Sequence, residues 1–237
     1  MAFCFYLKSL LNFAGIFGDM TKITFEKDIL FKYIAIAIAI CVLPLLEKGD
    51  AVLWVQSFHN DFLDLFFSRI TVFGDATWTV LILLWIVFKS NYRWLGLLIL
   101  AFVLHGLFVH LFKQWLANGA PRPFSYFTQR TEVDLLHLIE GVKIRKWNSF
   151  PSGHTATAFF MASYLMAYNG FSNASKWICY SLAVLVGLSR IYLGQHFYID
   201  VIFGALFGIM AFDLALLIMG SAKKDYWNRS ILKSRTK

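Results

Sequence analysis

Six apolar runs follow one another along the chain, separated by shorter polar segments. A helix that crosses a bilayer needs about 20 mainly apolar residues, and each run approaches or reaches that length. The pattern predicts spanning helices over residues 29–46, 77–88, 94–112, 155–168, 177–193 and 199–219. The second and fourth runs are short, so we expect those helices to extend into flanking residues.

The remaining segments predict helices that lie along the membrane. In residues 51–75, apolar residues recur at helical spacing, as in an interfacial helix that leads into the second span. Residues 1–28 lack the basic start and cleavage site of a signal peptide and predict an N-terminal interfacial helix. The predicted fold is all-α: a six-transmembrane-helix bundle over residues 29–219, with short interfacial helices in the outer loops. Residues 220–237 form a basic cytoplasmic tail in this scheme.

Composition supports a single integral membrane domain. Of the 237 residues, 59% are hydrophobic and 15% are charged, and the mean hydropathy is +0.62. Soluble domains carry about a quarter charged residues. The three cysteines, Cys4, Cys41 and Cys179, match neither a zinc-binding spacing nor a CxxC pair, so we interpret them as small hydrophobic residues.

The net charge of +8 is explained by membrane topology rather than by nucleic-acid binding. If both termini lie inside, the inner segments carry most of the Lys and Arg residues, as the positive-inside rule requires. The tail KKDYWNRSILKSRTK also suits an anionic inner leaflet. We therefore predict an integral protein of the bacterial inner membrane, with no nucleic-acid partner and an active site on the periplasmic face.

Polar residues that carry chemistry collect at the outer ends of the last four predicted spans. They form three clusters, within KQWLANGAPRPF, NSFPSGHTATAF and SRIYLGQHFYID. The residues of interest are Lys113 and Arg122 in the first cluster, Ser152, Gly153 and His154 in the second, and Arg190, His196 and Asp200 in the third. Three cations, a helix N-terminus and two histidines at one membrane face predict a site that handles phosphate.

The spacing of the third cluster adds a catalytic element. His196 and Asp200 are four residues apart and share one face of a helix, where the carboxylate can hold the imidazole in one tautomer. Each cluster alone also has a simpler interpretation. Ser152 would be a helix cap and His154 an interfacial ring, Lys113 would reach to the headgroups, and the His–Asp pair would be a surface contact. The convergence of all three on one face favours the phosphate site.

These motifs resemble those of the type 2 phosphatidic acid phosphatase superfamily of membrane lipid phosphatases. The second and third motifs match residue for residue, as Pro-Ser-Gly-His at 151–154 and as Ser-Arg, five residues, His, three residues, Asp at 189–200. The first motif departs from the family: eight residues rather than six separate Lys113 from Arg122. A turn at Gly119 and Pro121 could absorb the extra length.

The resemblance implies a mechanism without metal or other cofactor. His196 would attack phosphorus to form a phosphohistidine, Asp200 would orient it, and His154 would act first as general acid and then as base. The groups implied to bind the phosphoryl oxygens are Lys113, Arg122, Arg190, the Ser152 hydroxyl and the Gly153 amide. A divalent ion would be repelled by the three cations.

The substrate is expected to be amphiphilic, because the site lies where spans meet the interface. Phosphatidic acid, phosphatidylglycerol phosphate, an undecaprenyl carrier and lipid A are the candidate lipid phosphates or pyrophosphates. Two alternatives stay open. The same site could transfer the phosphoryl group to another lipid, or the protein could be an anion-binding membrane transporter, whose usual mark of paired, interrupted spans is not found here.

Overall fold

The computed structural model describes residues 25–89, 91–168 and 172–220, and these residues form helices joined by short turns. The helices, numbered within these ranges, are α1 Phe25–Val42, α2 Asp50–Gln56, α3 Asp61–Ile70, α4 Ala76–Lys89, α5 Tyr92–Leu111, α6 Pro123–Gln129, α7 Gly153–Ala167, α8 Asn173–Tyr192 and α9 Tyr198–Gly220. Three 3-10 turns, Leu43–Leu45, Thr71–Gly74 and Val133–Leu135, and one π-helical turn, Phe112–Leu116, connect them. The predicted all-α class is confirmed.

Each predicted span coincides with one helix, namely α1, α4, α5, α7, α8 and α9. By length and composition, Tyr92–Leu116 and Tyr198–Met219 can cross a membrane. A third candidate is the pair Asp61–Gly74 and Ala76–Ile82, which is bent by 56°. The count of six spans and the interfacial placement of α2 and α3 stay predictions. Residues 1–24 of the predicted N-terminal segment and residues 221–237 of the predicted tail lie outside the described residues.

Helix α7 forms the centre of the bundle and packs against α5, α8 and α9. It is buried on nearly every side, as expected of a helix that is apolar all round. Gly204 and Gly208 of α9 face its backbone. A Cβ at Gly204 would lie 2.6 Å from the carbonyl oxygen of Ser152, and one at Gly208 would collide with the carbonyl oxygen of Ala156. Small residues four apart allow this close approach of two helices.

The two ends of the bundle differ in chemistry. At one end, α5 and α8 finish and α7 and α9 begin, so the three predicted polar clusters come together there. Towards the other end, α1 packs on α9 and Lys32 Nζ lies 3.2 Å from Asp213 Oδ1. Both side chains of this ion pair are nearly buried, with exposed fractions of 5% and 7%. Asp213 therefore meets a basic partner and lies away from the polar clusters.

Candidate active site

His196 is held between a carboxylate and an arginine in the turn that joins α8 to α9. Its Nδ1 lies 3.4 Å from Asp200 Oδ2, and its Nε2 lies 3.1 Å from Arg122 Nη1. The side chains of His196 and Asp200 are 2% and 3% exposed. The carboxylate favours a proton on Nδ1, and an arginine N–H directed at Nε2 needs a lone pair there. In this tautomer Nε2 can attack an electrophile.

Asp200 also stabilises the start of its own helix. Its Oδ2 accepts hydrogen bonds from the backbone N–H of Phe197 at 2.9 Å and from Ser149 Oγ at 2.5 Å. The first bond is half of a capping box, because Phe197 immediately precedes α9 and Asp200 is its third residue. The carboxylate that faces His196 is therefore fixed by two further donors.

The surroundings of His196 keep its ring neutral. Burial lowers the pKa of His196 well below its ordinary value, and the positive charges of Arg122, Arg190 and Lys113 lower it further. A neutral imidazole has a free lone pair on one ring nitrogen and is the nucleophilic form of histidine.

Arg122 is buried directly before Pro123, the first residue of α6. Its Nε donates to the Trp147 carbonyl at 2.9 Å, Nη1 to the Gln195 carbonyl at 2.9 Å, and Nη2 to the Asn148 carbonyl at 3.3 Å. Burial and the nearby Arg145 lower the pKa of Arg122 to about 10. The guanidinium therefore stays charged at neutral pH, and three carbonyls fix its orientation beside His196.

Lys113 reaches the same place despite the longer spacing of its motif. It lies in the π-helical turn after α5, and its Nζ donates to the Asn148 carbonyl at 3.1 Å, which also accepts from Arg122. Gly119 has a left-handed φ of +73°, and Pro121 pairs with Trp147, so the predicted turn is present.

Ser152 and Gly153 begin α7. The Ser152 hydroxyl accepts from Thr155 N at 3.4 Å and from Thr155 Oγ1 at 2.8 Å, and is fully buried. Ser152 is thus a helix cap, as in its simpler interpretation, while its backbone N–H donates to the Asp200 carbonyl at 2.9 Å. The contacts of Ser152 and Gly153 with a phosphoryl group stay predictions.

His154, the second residue of α7, lines two cavities. One cavity of about 290 Å³ lies between α7 and α5, and the other, of about 600 Å³, is also lined by Arg69, Arg145 and Arg190. The ring Nε2 lies 2.8 Å from Asp75 Oδ1. His154 therefore lies between the smaller cavity and the larger cavity that the three arginines line.

Arg190 lies in the last turn of α8 and is 6% exposed. Its Nη1 donates to Thr71 Oγ1 at 2.7 Å, whereas its Nε has no acceptor in the described part of the chain. A buried guanidinium N–H without a partner is costly, and an anion would satisfy it.

The structure thus brings the eight predicted residues to one end of the bundle. Residues that sequence reasoning missed also touch them: Thr71, Asp75, Asn148 through its carbonyl, and Ser149. Of these, Asp75 had a signal, because it follows a glycine directly before an apolar run, a typical helix start.

Comparison with known proteins identifies relatives of the part of the chain that contains this site. The family model of the PAP2 superfamily matches residues 94–224, which include all eight predicted site residues. A Bacillus licheniformis protein named Bacitracin transport permease protein BcrC is 40% identical over 77 residues, 32% of this chain and 35% of its own length. A Porphyromonas gingivalis Lipid A 1-phosphatase is 39% identical over 81 residues, 33% of this chain and 18% of its own length.

A Bacillus subtilis Phosphatidylglycerophosphatase B is 31% identical over 137 residues, 54% of this chain and 60% of its own length. The chain therefore spans less than two thirds of each of these three curated relatives. The crystal structure of Aquifex aeolicus LpxE is similar with a TM-score of 0.57 and 31% identity. That match covers 70% of this chain and 92% of the LpxE chain.

Proposed function

The chain is an integral membrane protein that belongs to the PAP2 superfamily, and on this basis we propose that it is a phosphatase acting on an amphiphilic lipid phosphate. The observation that carries the proposal is the position of His196. Its Nε2 faces Arg122 while Asp200 faces Nδ1, so a buried, neutral imidazole is surrounded by cations. Such a group is suited to attack an anionic phosphorus centre that those cations have neutralised.

The first chemical step transfers the phosphoryl group to the enzyme. His196 Nε2 forms a bond to phosphorus, and the bond from phosphorus to the lipid oxygen breaks. His154 gives a proton to the departing oxygen, which leaves as an alcohol or a phosphate. Asp200 offsets the positive charge that develops on the His196 ring, and the fixed cations stabilise the equatorial oxygens.

The second step returns the enzyme to its starting state. His154 removes a proton from a water molecule, whose oxygen forms a bond to phosphorus. The bond from phosphorus to His196 Nε2 breaks. Inorganic phosphate leaves and His196 is neutral again. Phosphate esters hydrolyse extremely slowly in water. A covalent intermediate accelerates the reaction because it replaces one high barrier by two lower ones.

The substrates we propose are phosphatidic acid, phosphatidylglycerol phosphate, undecaprenyl pyrophosphate and lipid A. The site lies at one end of the helices, where the lipid headgroup can enter the larger, arginine-lined cavity while the tails stay in the bilayer. The distribution of Lys and Arg supports a position of this end on the periplasmic side of a bacterial inner membrane.

Phosphate release by purified protein in detergent tests the proposal. The wild type should release phosphate from at least one of these four lipids. His196→Ala and His154→Ala should each lower the rate of phosphate release by at least about 10²-fold. His59→Ala, at an exposed histidine between α2 and α3, is the matched control and should keep wild-type turnover. Near-normal rates in either active-site variant would contradict the assigned roles.

The covalent intermediate has its own assay. Protein quenched in alkali after reaction with ³²P-labelled lipid should carry label in the wild type, and none in His196→Ala. A labelled lipid alcohol added as acceptor would become phosphorylated if the protein is a phosphotransferase.

A transporter is the second candidate, because one relative is named a transport permease. Detergent solution has no compartments, so phosphate release there distinguishes catalysis from transport. Protein that binds lipid phosphates in detergent, but cleaves none of them, would favour the transporter.

A further inference from the structure

The turn between α3 and α4 touches the active site although it belongs to none of the three motifs. This turn consists of Thr71–Gly74 and the following Asp75. Thr71 Oγ1 accepts from Arg190 Nη1 at 2.7 Å, and Asp75 Oδ1 lies 2.8 Å from His154 Nε2. The turn therefore contacts both an anion-binding candidate and the candidate general acid.

Gly74 explains how the turn comes so close. A Cβ at this position would lie 2.8 Å from His154 Cβ, 2.8 Å from Val186 Cγ1 and 2.9 Å from the His154 carbonyl oxygen. Side chains do not tolerate such distances, so the turn packs directly on α7 only because residue 74 has no side chain. The backbone N–H of Asp75 donates to the Val72 carbonyl at 2.9 Å and fixes the next residue in place.

The charges around His154 are mostly positive. The titratable groups that face it are Asp75, Lys113, Arg122, Arg145 and Arg190, together with the neighbouring rings of His105, His110 and His196. The larger of its two cavities is also lined by Asp64, Arg69, Glu140 and Lys143. Burial and the cations that face this ring lower the pKa of His154 to about 3, yet a leaving-group acid must carry a proton. Asp75 is the one carboxylate that contacts this ring in the described ranges, and a carboxylate favours the protonated form.

We infer that Asp75 is a positioning residue for His154, which holds Nε2 and favours the proton that the ring must carry as leaving-group acid. With Nε2 held, Nδ1 is the nitrogen that gives its proton to the departing lipid oxygen. The two catalytic histidines are then arranged in opposite senses: His196 is held at Nδ1 and reacts at Nε2, and His154 is held at Nε2 and reacts at Nδ1. The inference rests on the proposed phosphatase function.

A comparison of leaving groups isolates this role. Asp75→Asn keeps the size of the side chain and removes its charge, Asp75→Glu keeps the charge, and Asp134→Asn at an exposed acid is the control. The measured quantity is kcat/KM, which reports the step up to phosphohistidine formation. The substrates are p-nitrophenyl phosphate, whose leaving group needs no acid, and the lipid that the wild type cleaves fastest among phosphatidic acid, phosphatidylglycerol phosphate and lipid A.

We expect Asp75→Asn to lower kcat/KM for the lipid by about 10²-fold and to lower that for p-nitrophenyl phosphate by less than about threefold. The basic limb of the pH profile for the lipid should move to lower pH, because the ring loses its proton more readily without the carboxylate. Asp75→Glu should recover part of the rate, and Asp134→Asn should behave as wild type. Equal losses for both substrates with an unchanged pH profile, or no loss, would overturn the inference.

A second measurement does not depend on turnover. Nuclear magnetic resonance of ¹⁵N-histidine-labelled protein in detergent follows the protonation of the His154 ring, assigned with His154→Ala. The titration midpoint of this ring should move to lower pH in Asp75→Asn and stay in place in Asp134→Asn. A wild type that cleaves no lipid would refute the proposed function, whereas an unmoved midpoint would refute the role of Asp75.

Discussion

Replacement of Ser149 by alanine is a sensitive test of how His196, the proposed nucleophile, is oriented. Ser149 Oγ donates to Asp200 Oδ2 at 2.5 Å, and both residues are buried. The same oxygen faces His196 Nδ1 at 3.4 Å and accepts from the Phe197 N–H at 2.9 Å. The substitution removes one of three donors and leaves the other two, so Asp200 keeps its position on α9 but loses its restraint from the loop.

The size of the effect follows from the burial of the carboxylate. A hydrogen bond to a charged group contributes about 1.5–3 kcal/mol to stability. Since two donors remain and no charge is left unpaired, we expect the lower end of this range. If the restraint acts mainly as the His196 ring becomes positive, about 1.4 kcal/mol is lost in the transition state, which is a tenfold decrease in kcat. KM should stay nearly constant, because Ser149 does not face the cavities.

Steady-state phosphate release over a range of lipid concentrations separates kcat from KM, and a thermal melt in detergent checks the fold. Ser163→Ala is a suitable control, since Ser163 is a buried serine of α7 whose hydroxyl has no partner within the described residues. This control should match wild type in both measurements. An unchanged kcat in Ser149→Ala, or a loss that appears in KM rather than in kcat, would refute the reasoning about His196.

Three further predictions concern pH, packing and metals. Arg122→Gln should move the acid limb of the kcat/KM profile to higher pH, because the neutral ring of His196 is the active form and the lost cation no longer lowers its pKa; an unmoved limb would contradict this. Asp213→Ala should cost about 3–5 kcal/mol of stability by leaving Lys32 buried and unpaired, and the double variant Lys32→Met/Asp213→Leu should regain most of the lost melting temperature. Excess EDTA should leave phosphate release unchanged, since fixed cations supply the positive charge, and activity restored only by added Mg²⁺ would refute that view.

The helices could be predicted well because apolar runs report directly on burial or contact with lipid. The ends were less accurate where a single residue decides them. The first run was predicted to extend to residue 46, but α1 ends at Val42 because Pro44 lies in the following 3-10 turn. Helix α8 begins at Asn173, before the predicted start at residue 177, because the Ser172 side chain accepts from the Ser175 N–H and caps it.

The site could be predicted only where its residues stand in recognisable motifs. Lys113, Arg122 and the residues of the second and third motifs converge as their order along the spans indicated. The contact of Asp75 with His154 joins residues far apart in the chain and depends on how closely a turn approaches α7, which no local pattern encodes. The role of the Asn148 carbonyl was equally hidden, because every residue has a carbonyl and only the fold decides which one is shared.

The glycines of α9 determine how far His154, the proposed acid, lies from His196, the proposed nucleophile. His154 lies in the first turn of α7, His196 directly before α9, and the two helices meet main chain to main chain at Gly204 and Gly208. Backbone atoms therefore set the distance between α7 and α9, and substitutions on the outer surface of the bundle leave these atoms unchanged. A single methyl group at Gly208 would push α7 and α9 apart, and with them the rings of His154 and His196.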